Sequence, residues 1–371
     1  MAAMLAAGLL SNGYGLLAGA ASAPRTHRQA QPDWSHWLDG RATADIADAI
    51  ARTPLPAAAA KLERGAAWLA IGDLGPRVRQ GCPGWLFLAD ELIPYPQASA
   101  NMQARTREVA AVAARLRSQD IALLVATVPD KTRIAAARLC GLRRPSALED
   151  RLRAWTASLR QAGIAAPDLE PALRALGSQA FRRTDSHWNQ AGAEAAAGAI
   201  AAAIRQLPTP AAALEPRQPL AIVRGAPQPV HGDLVRLAGI DWLPARLLPP
   251  PDLEPRLRFD AAAAPSTPAQ DADDLFGDAG LPRVALIGTS YSRNAEFVPF
   301  LEAALQARVA SFALDGGEFA GAARAYFNGD AFRRTPPRLV VWEIPERALQ
   351  RPLDGETGIL ASRQPSSEPI Q

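Results

Sequence analysis

Histidine, cysteine and lysine are scarce in this chain of 371 residues, and each scarcity excludes some chemistry. The only histidines are His27, His36, His187 and His231, so a histidine-dependent step has few places to occur. The two cysteines, Cys82 and Cys140, lack ligand-spaced partners, which excludes a zinc ribbon and a CxxC redox motif. Lys61 and Lys131 are the only lysines, so arginine supplies all but two of the 40 basic residues. The formal net charge is +3 and the acids are interspersed, which leaves no basic stripe for nucleic acid. With 48% hydrophobic and 21% charged positions, the chain has ample material for a packed core. Its length permits one large domain or two smaller ones.

Residues 1–24 carry no charge and lack the basic start of a typical leader. Their long apolar run reads as a signal peptide or an N-terminal membrane anchor. Ala21-Ser22-Ala23 and Ala18-Gly19-Ala20 are the two candidate cleavage patterns, although Pro24 disfavours the first. An Ala/Gly-rich tail is the competing reading. Export would place the two cysteines in an oxidising compartment where they can pair, but spacing alone does not show that they meet.

Residues 25–60 form a polar lead-in containing Trp34 and Trp37, and the folded region is expected over 61–350. GWLFLAD (84–90) reads as a short aromatic strand, 101–118 as an amphipathic helix, and IALLVATVP (121–129) as a buried strand stopped by Pro129. Helices are expected at 148–162 and 190–206, and strands at 284–288, 309–314 and 339–344. Between 208 and 282 prolines crowd in, and an Asp271–Asp274 cluster follows; an irregular surface excursion is expected, with only 231–240 ordered. Residues 351–371 read as a polar tail. Alternating strands and helices predict an α/β fold whose mostly parallel sheet is covered on both faces.

Four segments carry candidate chemistry. Gly288-Thr289-Ser290-Tyr291-Ser292 follows a hydrophobic strand, placing a hydroxyl at the sheet's carboxyl edge where ligands gather. A helix starting after Ser290 would aim backbone N–H groups at an oxyanion, although Ser and Thr also cap helices routinely. In Thr184-Asp185-Ser186-His187-Trp188-Asn189, an Asp two residues before a His can hold one ring nitrogen and leave the other free as a base. A capping Asp beside a surface His is the alternative. Lys131, in Pro129-Asp130-Lys131-Thr132-Arg133, is either an anion-binding group or a solvated turn residue. In Trp342-Glu343-Ile344-Pro345-Glu346-Arg347, Glu343 or Arg347 either supports the site or forms an ion pair on a closing strand.

Taken together, GWLFL (84–88), PDK (129–131), TDSHWNQAGAE (184–194), GDL (232–234), GTSYS (288–292) and WEIPER (342–347) resemble the alginate O-acetyltransferase family, the AlgJ/AlgX group with an SGNH-hydrolase-like domain. The segments keep the family's order over residues 84–347. The resemblance implies a three-layer α/β/α fold, with Asp and His preceding the nucleophilic Ser. It implies Ser290 as nucleophile, His187 as general base and Asp185 as its orienting partner. The chain stops too soon after Arg347 for an AlgX-type C-terminal carbohydrate-binding module, so the AlgJ-like form is the nearer match.

The function implied is a periplasmic O-acetyltransferase that carries acetyl as an acyl-serine and passes it to a hydroxyl of an acidic exopolysaccharide. The resemblance implies no cofactor. Its partners would be a membrane-bound O-acyltransferase relaying the acetyl donor and other exopolysaccharide-assembly proteins. Tyr291 is expected near the oxyanion, Lys131 and Arg347 on an anionic substrate, and Trp188 or Tyr291 stacked on sugar unless packed inside. The rival readings are an esterase with water as acceptor and a non-catalytic subunit of a secretion complex.

Overall fold

The computed structural model describes residues 38–51, 53–208, 214, 217–261 and 282–360. The leader at 1–24, the first part of the lead-in (25–37), the Asp271–Asp274 cluster and residues 361–371 lie outside the described residues. The chain divides into two compact units, Met1–Gly75 with Arg236–Leu248, and Pro76–Val235 with Pro249–Gln371.

The first unit contains helices α1 (Arg41–Ala51) and α2 (Pro54–Ile71). Pro54 opens α2 where its missing N–H costs nothing, and Gly72 ends it in a left-handed conformation. The Trp68 indole donates to the Leu247 carbonyl within the same unit, 2.8 Å away. The boundary expected at residue 60/61 therefore falls inside a continuous helix.

In the second unit β1 (Val78–Gln80) and β2 (Leu86–Leu88) form a small antiparallel pair. The central sheet contains β3 (Ala122–Val128), β6 (Val284–Ile287), β7 (Val309–Ser311) and β8 (Leu339–Pro345) in the order β3-β8-β6-β7, all parallel. Side-chain alternation divides these strands between two cores. Leu124, Ala126, Val128, Leu286 and Val341 face one layer, whereas Val125, Ala285, Ile287, Val340 and Trp342 face the other. Helices α3 (Ala98–Arg117) and α4 (Arg151–Gln161) cover the second face, and α5 (Gln190–Ile204) covers the first. Further along the chain, α6 (Phe297–Leu305) joins the first face, while α7 (Gly321–Phe327) and α8 (Asp330–Arg334) join the second. This is the expected three-layer arrangement. Each strand Val, Leu or Ile that is fully buried contributes about 1.5–3 kcal/mol relative to exposure.

α5 forms because Asn189 caps it, its side-chain oxygen accepting from the Gly192 N–H at 2.9 Å, and because alanine dominates the helix. Ala193, Ala196, Ala197, Ile200, Ala201 and Ile204 then recur at helical spacing on its buried face.

The Pro-rich stretch differs from expectation. It contains a long antiparallel ribbon, β4 (Leu220–Val230) with β5 (Asp252–Ala261), whose register shifts between Arg224 and Pro227. Pro227, Pro229 and Pro255 are tolerated because a two-stranded ribbon leaves one edge of each strand without a ladder partner. Ile222, Leu257 and Phe259 lay the ribbon against the α5–α6 layer. Cys82 and Cys140 form a disulfide that closes a separation of 58 residues, a constraint worth roughly 4 kcal/mol through unfolded-chain entropy. No helix among the described residues is long and apolar enough to cross a membrane.

Candidate active site

The loop before α5 and the turn after β6 bring the two main sequence candidates together. His187 Nε2 lies 2.7 Å from Ser290 Oγ, and His187 Nδ1 lies 2.6 Å from Asp185 Oδ1. Asp185 Oδ1 also accepts the His187 backbone N–H at 2.8 Å. Burial pushes the Asp185 carboxyl up, but the hydrogen bonds and charge of His187, with the nearby Arg182, hold it well below the usual carboxylate range. An ionised Asp185 can only accept, so the ring proton sits on Nδ1 and Nε2 is left to accept from the Ser290 hydroxyl. The arrangement can carry a proton from Ser290 to His187 while Asp185 balances the imidazolium. Asp185 and His187 are buried, whereas Ser290 is partly exposed at the carboxyl edge of the sheet.

Asp233 is a neighbour that sequence reasoning missed. It opens a short helix (Asp233–Leu237), and its N–H donates to Asp185 Oδ2 at 3.1 Å. Its carboxylate accepts from Ser186 N at 2.7 Å and Ser186 Oγ at 2.6 Å, with Oδ2 3.7 Å from His187 Nδ1. Burial and the adjacent Asp185 charge raise its pKa. The preceding Gly232 permits this approach, because a Cβ there would lie 1.9 Å from the Thr184 carbonyl oxygen. The GDL triplet was visible as a matching segment, but nothing in it announced which loop it would meet. Donor atoms of Asp185, His187 and Asp233 lie within 4.8 Å of one another, close enough for a cation. Both His187 nitrogens are engaged, so a cation at Nδ1 would break the relay.

The Pro-rich ribbon anchors the same loop. Arg182 forms a buried two-pronged pair with Glu254, both contacts 2.7 Å, and the Arg183 N–H donates to Asp252 at 3.0 Å. Both acids belong to β5.

The Ser290 turn is tied down from beneath by Glu343 of β8. Its carboxylate accepts from the Thr289 N–H at 2.6 Å, the Thr289 hydroxyl at 3.0 Å and the Ser292 hydroxyl at 3.0 Å. Burial raises the Glu343 carboxyl, and these donors oppose the rise. Gly288 is required here, since a Cβ would meet Glu343 Oε2 at 2.6 Å. A single 3-10 turn, Ser290–Arg293, follows in place of the expected helix, and α6 starts only at Phe297. The Tyr291 N–H turns inward to the Thr289 hydroxyl at 3.3 Å, so it does not face an incoming oxyanion. The Ser290 N–H heads the turn, a position without an intrahelical acceptor.

Several expected substrate contacts lie elsewhere. Lys131 is completely buried; its ammonium donates to the carbonyls of Leu86 (2.6 Å), Asp185 (2.8 Å) and Arg183 (3.0 Å). All three N–H groups are used, so Lys131 holds the Asp185 loop and has no donor for an anionic substrate. Burial lowers its pKa to about 8, with Glu91 and Asp185 opposing. Trp188 is fully buried, stacked on Phe297 at 4.8 Å and edge-on to Tyr291 at 5.1 Å, and offers no face to a sugar. The Tyr291 ring is likewise buried, its hydroxyl donating to the Ser186 carbonyl at 2.8 Å. Arg347 lies buried over that ring, 5.4 Å from its centroid, with no ion-pair partner among the described residues. Asp130 and Glu346 sit in a buried cluster with Arg133, Arg144 and Arg151 that locks the end of β3 to the end of β8.

Residues 78–346 match the family model described as an SGNH hydrolase-like domain, acetyltransferase AlgX. A probable alginate O-acetylase AlgJ of Pseudomonas aeruginosa is 36% identical over 285 residues, covering 74% of this chain and 71% of the relative. The alginate biosynthesis protein AlgX of the same organism is 28% identical over 249 residues, 64% of this chain and 49% of its own length. The O-acetyltransferase domain of Pseudomonas putida AlgJ superposes with a TM-score of 0.62 at 32% identity, covering 75% of this chain and 93% of that domain. With its parallel sheet, its site at the sheet's carboxyl edge and this match across most of its length, the chain belongs to the SGNH hydrolase-like acetyltransferase family of AlgJ and AlgX.

Proposed function

We propose that the chain is an exported polysaccharide O-acetyltransferase that acetylates alginate or a similar acidic exopolysaccharide through an acyl-serine. The observation that carries the reading is the continuous hydrogen-bonded line Asp185–His187–Ser290, at 2.6 and 2.7 Å. The AlgJ relatives, named as alginate O-acetylases, point to the acetyl group and the alginate acceptor. His187 takes the Ser290 proton as Oγ attacks the donor's acetyl carbonyl, forming a C–O bond and a tetrahedral oxyanion. The Ser290 N–H, at the head of its turn, is the backbone donor that would stabilise that oxyanion. Collapse expels the leaving group with the proton from His187 and leaves acetyl on Ser290. A sugar hydroxyl then gives its proton to His187, attacks the ester carbonyl and regenerates the Ser290 hydroxyl.

Asp233 acts here as a positioning residue, fixing the Ser186 backbone and the second oxygen of Asp185. The disulfide supports an oxidising compartment, which suits export. Acetyl-CoA is absent outside the cytoplasm, so the donor is an acetyl group relayed by a membrane-bound acyltransferase, and AlgX-like assembly proteins are the fitting neighbours. A serine-directed fluorophosphonate tests the nucleophile. Mass spectrometry should find the adduct on Ser290 in the wild type and none in His187→Ala at matched times; labelling elsewhere would remove the assignment.

A further inference from the structure

The sheet edge opposite the triad carries an arginine cluster that the acetyl-transfer chemistry does not use. Arg308 and Arg338 immediately precede β7 and β8, and the in-register pairing of Val284 with Val309 and Leu339 places them along one row at the amino edge. Arg115 and Arg117 occupy the last turn of α3, and Arg334 the last turn of α8. All five are exposed, and none has an ion-pair partner among the described residues, the nearby Asp330 pairing with Arg333. The local counter-charges are three: Asp330 is bonded to Arg333, Asp120 stands exposed beside Arg117, and the Glu302 carboxylate accepts the Val309 N–H at 2.9 Å next to Arg308.

This edge holds an open hollow. Arg115, Arg333 and Arg338 line a cavity of about 680 Å³ together with the buried Ile121, Phe332 and Pro337. A lining that combines apolar side chains with arginines suits a pyranose ring, which presents both C–H groups and a carboxylate. Arginine pairs with carboxylates in two-pronged geometry, which a lysine ammonium does not reproduce. A lipid bilayer would meet a flat or convex basic face better than a hollow one.

We infer that this hollow is a second binding site for an acidic polysaccharide, separate from the acetyl-transfer site. It grips uronate units of the acceptor polymer, and the inference rests on the acceptor class proposed above. A seven-residue strand such as β8 spans roughly 23 Å from edge to edge, so a bound polymer must run along the molecule to reach Ser290. Holding the chain there raises the local concentration of acceptor hydroxyls at the serine.

The test measures polymer binding by isothermal titration with the full chain carrying Ser290→Ala, with and without Arg115→Gln and Arg338→Gln. The ligands are polymannuronate, a neutral glucan and anionic phospholipid vesicles. The expected result is polymannuronate binding that weakens at least tenfold in the arginine double variant at unchanged melting temperature, with little affinity for glucan. Equal binding by both proteins, no polymannuronate binding, or arginine-dependent binding to vesicles alone would each overturn the inference. Fluorophosphonate labelling of Ser290 in the wild type tests the reaction separately, so failure of one does not mimic failure of the other.

Discussion

Asp185 and Asp233 both sit beside His187, yet their contacts give them different work. Asp185 touches the ring nitrogen directly, whereas Asp233 acts through Ser186 and through its own N–H on Asp185. Asp185→Asn presents an amide that can stabilise the wrong ring tautomer, and turnover should fall by ~10⁴ as in serine-protease triads. Acyl-transfer kinetics check this, and near-normal turnover would remove the orienting role. Asp233→Asn keeps an acceptor for Ser186 but loses charge-assisted bonds worth about 1.5–3 kcal/mol each. A kcat lower by roughly 10–100-fold with little change in KM is expected. A change confined to KM would instead make Asp233 a substrate contact. Sequence spacing paired Asp185 with His187 because they stand two positions apart. It was silent on Asp233, whose partner lies 47 positions away and is reached only because Gly232 lacks a side chain. Lys131 and Trp188 were misplaced for a related reason. A lysine after a strand and a tryptophan beside His187 look accessible in one dimension, but both are buried in the fold.

At the scale of elements, the parallel strands were legible as continuous apolar runs, since strands covered on both faces need no polar alternation. The β4–β5 ribbon was not, because its prolines argue against a strand unless the second edge is known to be unpaired. That ribbon supports the site: Glu254 and Asp252 hold Arg182 and Arg183, the two residues before the Thr184-Asp185 step. Breaking a buried ion pair leaves an uncompensated charge, so Glu254→Ala should destabilise the fold by about 3–5 kcal/mol. Chemical denaturation measures it; a change below about 1 kcal/mol would mean that the Arg182–Glu254 pair is dispensable.

For the whole molecule, the buried acid–base cluster makes stability depend on pH. Burial, aided by the Asp130 charge, raises the Glu91 carboxyl from about 4.5 to about 7. A carboxyl whose folded pKa is raised favours the protonated form, so its contribution is fully present below the unfolded value and is lost as pH rises toward 7. Asp130 shifts in the same direction. The melting temperature should therefore decline between about pH 4.5 and 7, and Glu91→Gln should flatten that slope. An unchanged slope in the variant would assign the pH dependence to other groups. Asp185 works oppositely, its depressed pKa withdrawing stability only in strong acid.

The central claim is that Ser290 carries acetyl to a sugar, and one measurement addresses it directly. The protein is given 4-nitrophenyl acetate with mannuronate oligosaccharides, and the sugars are read by mass spectrometry beside Ser290→Ala. Acetylated oligosaccharide from the wild type and none from the variant is the expected result. Release of 4-nitrophenol with no acetylated sugar, or a product indifferent to Ser290, would contradict it.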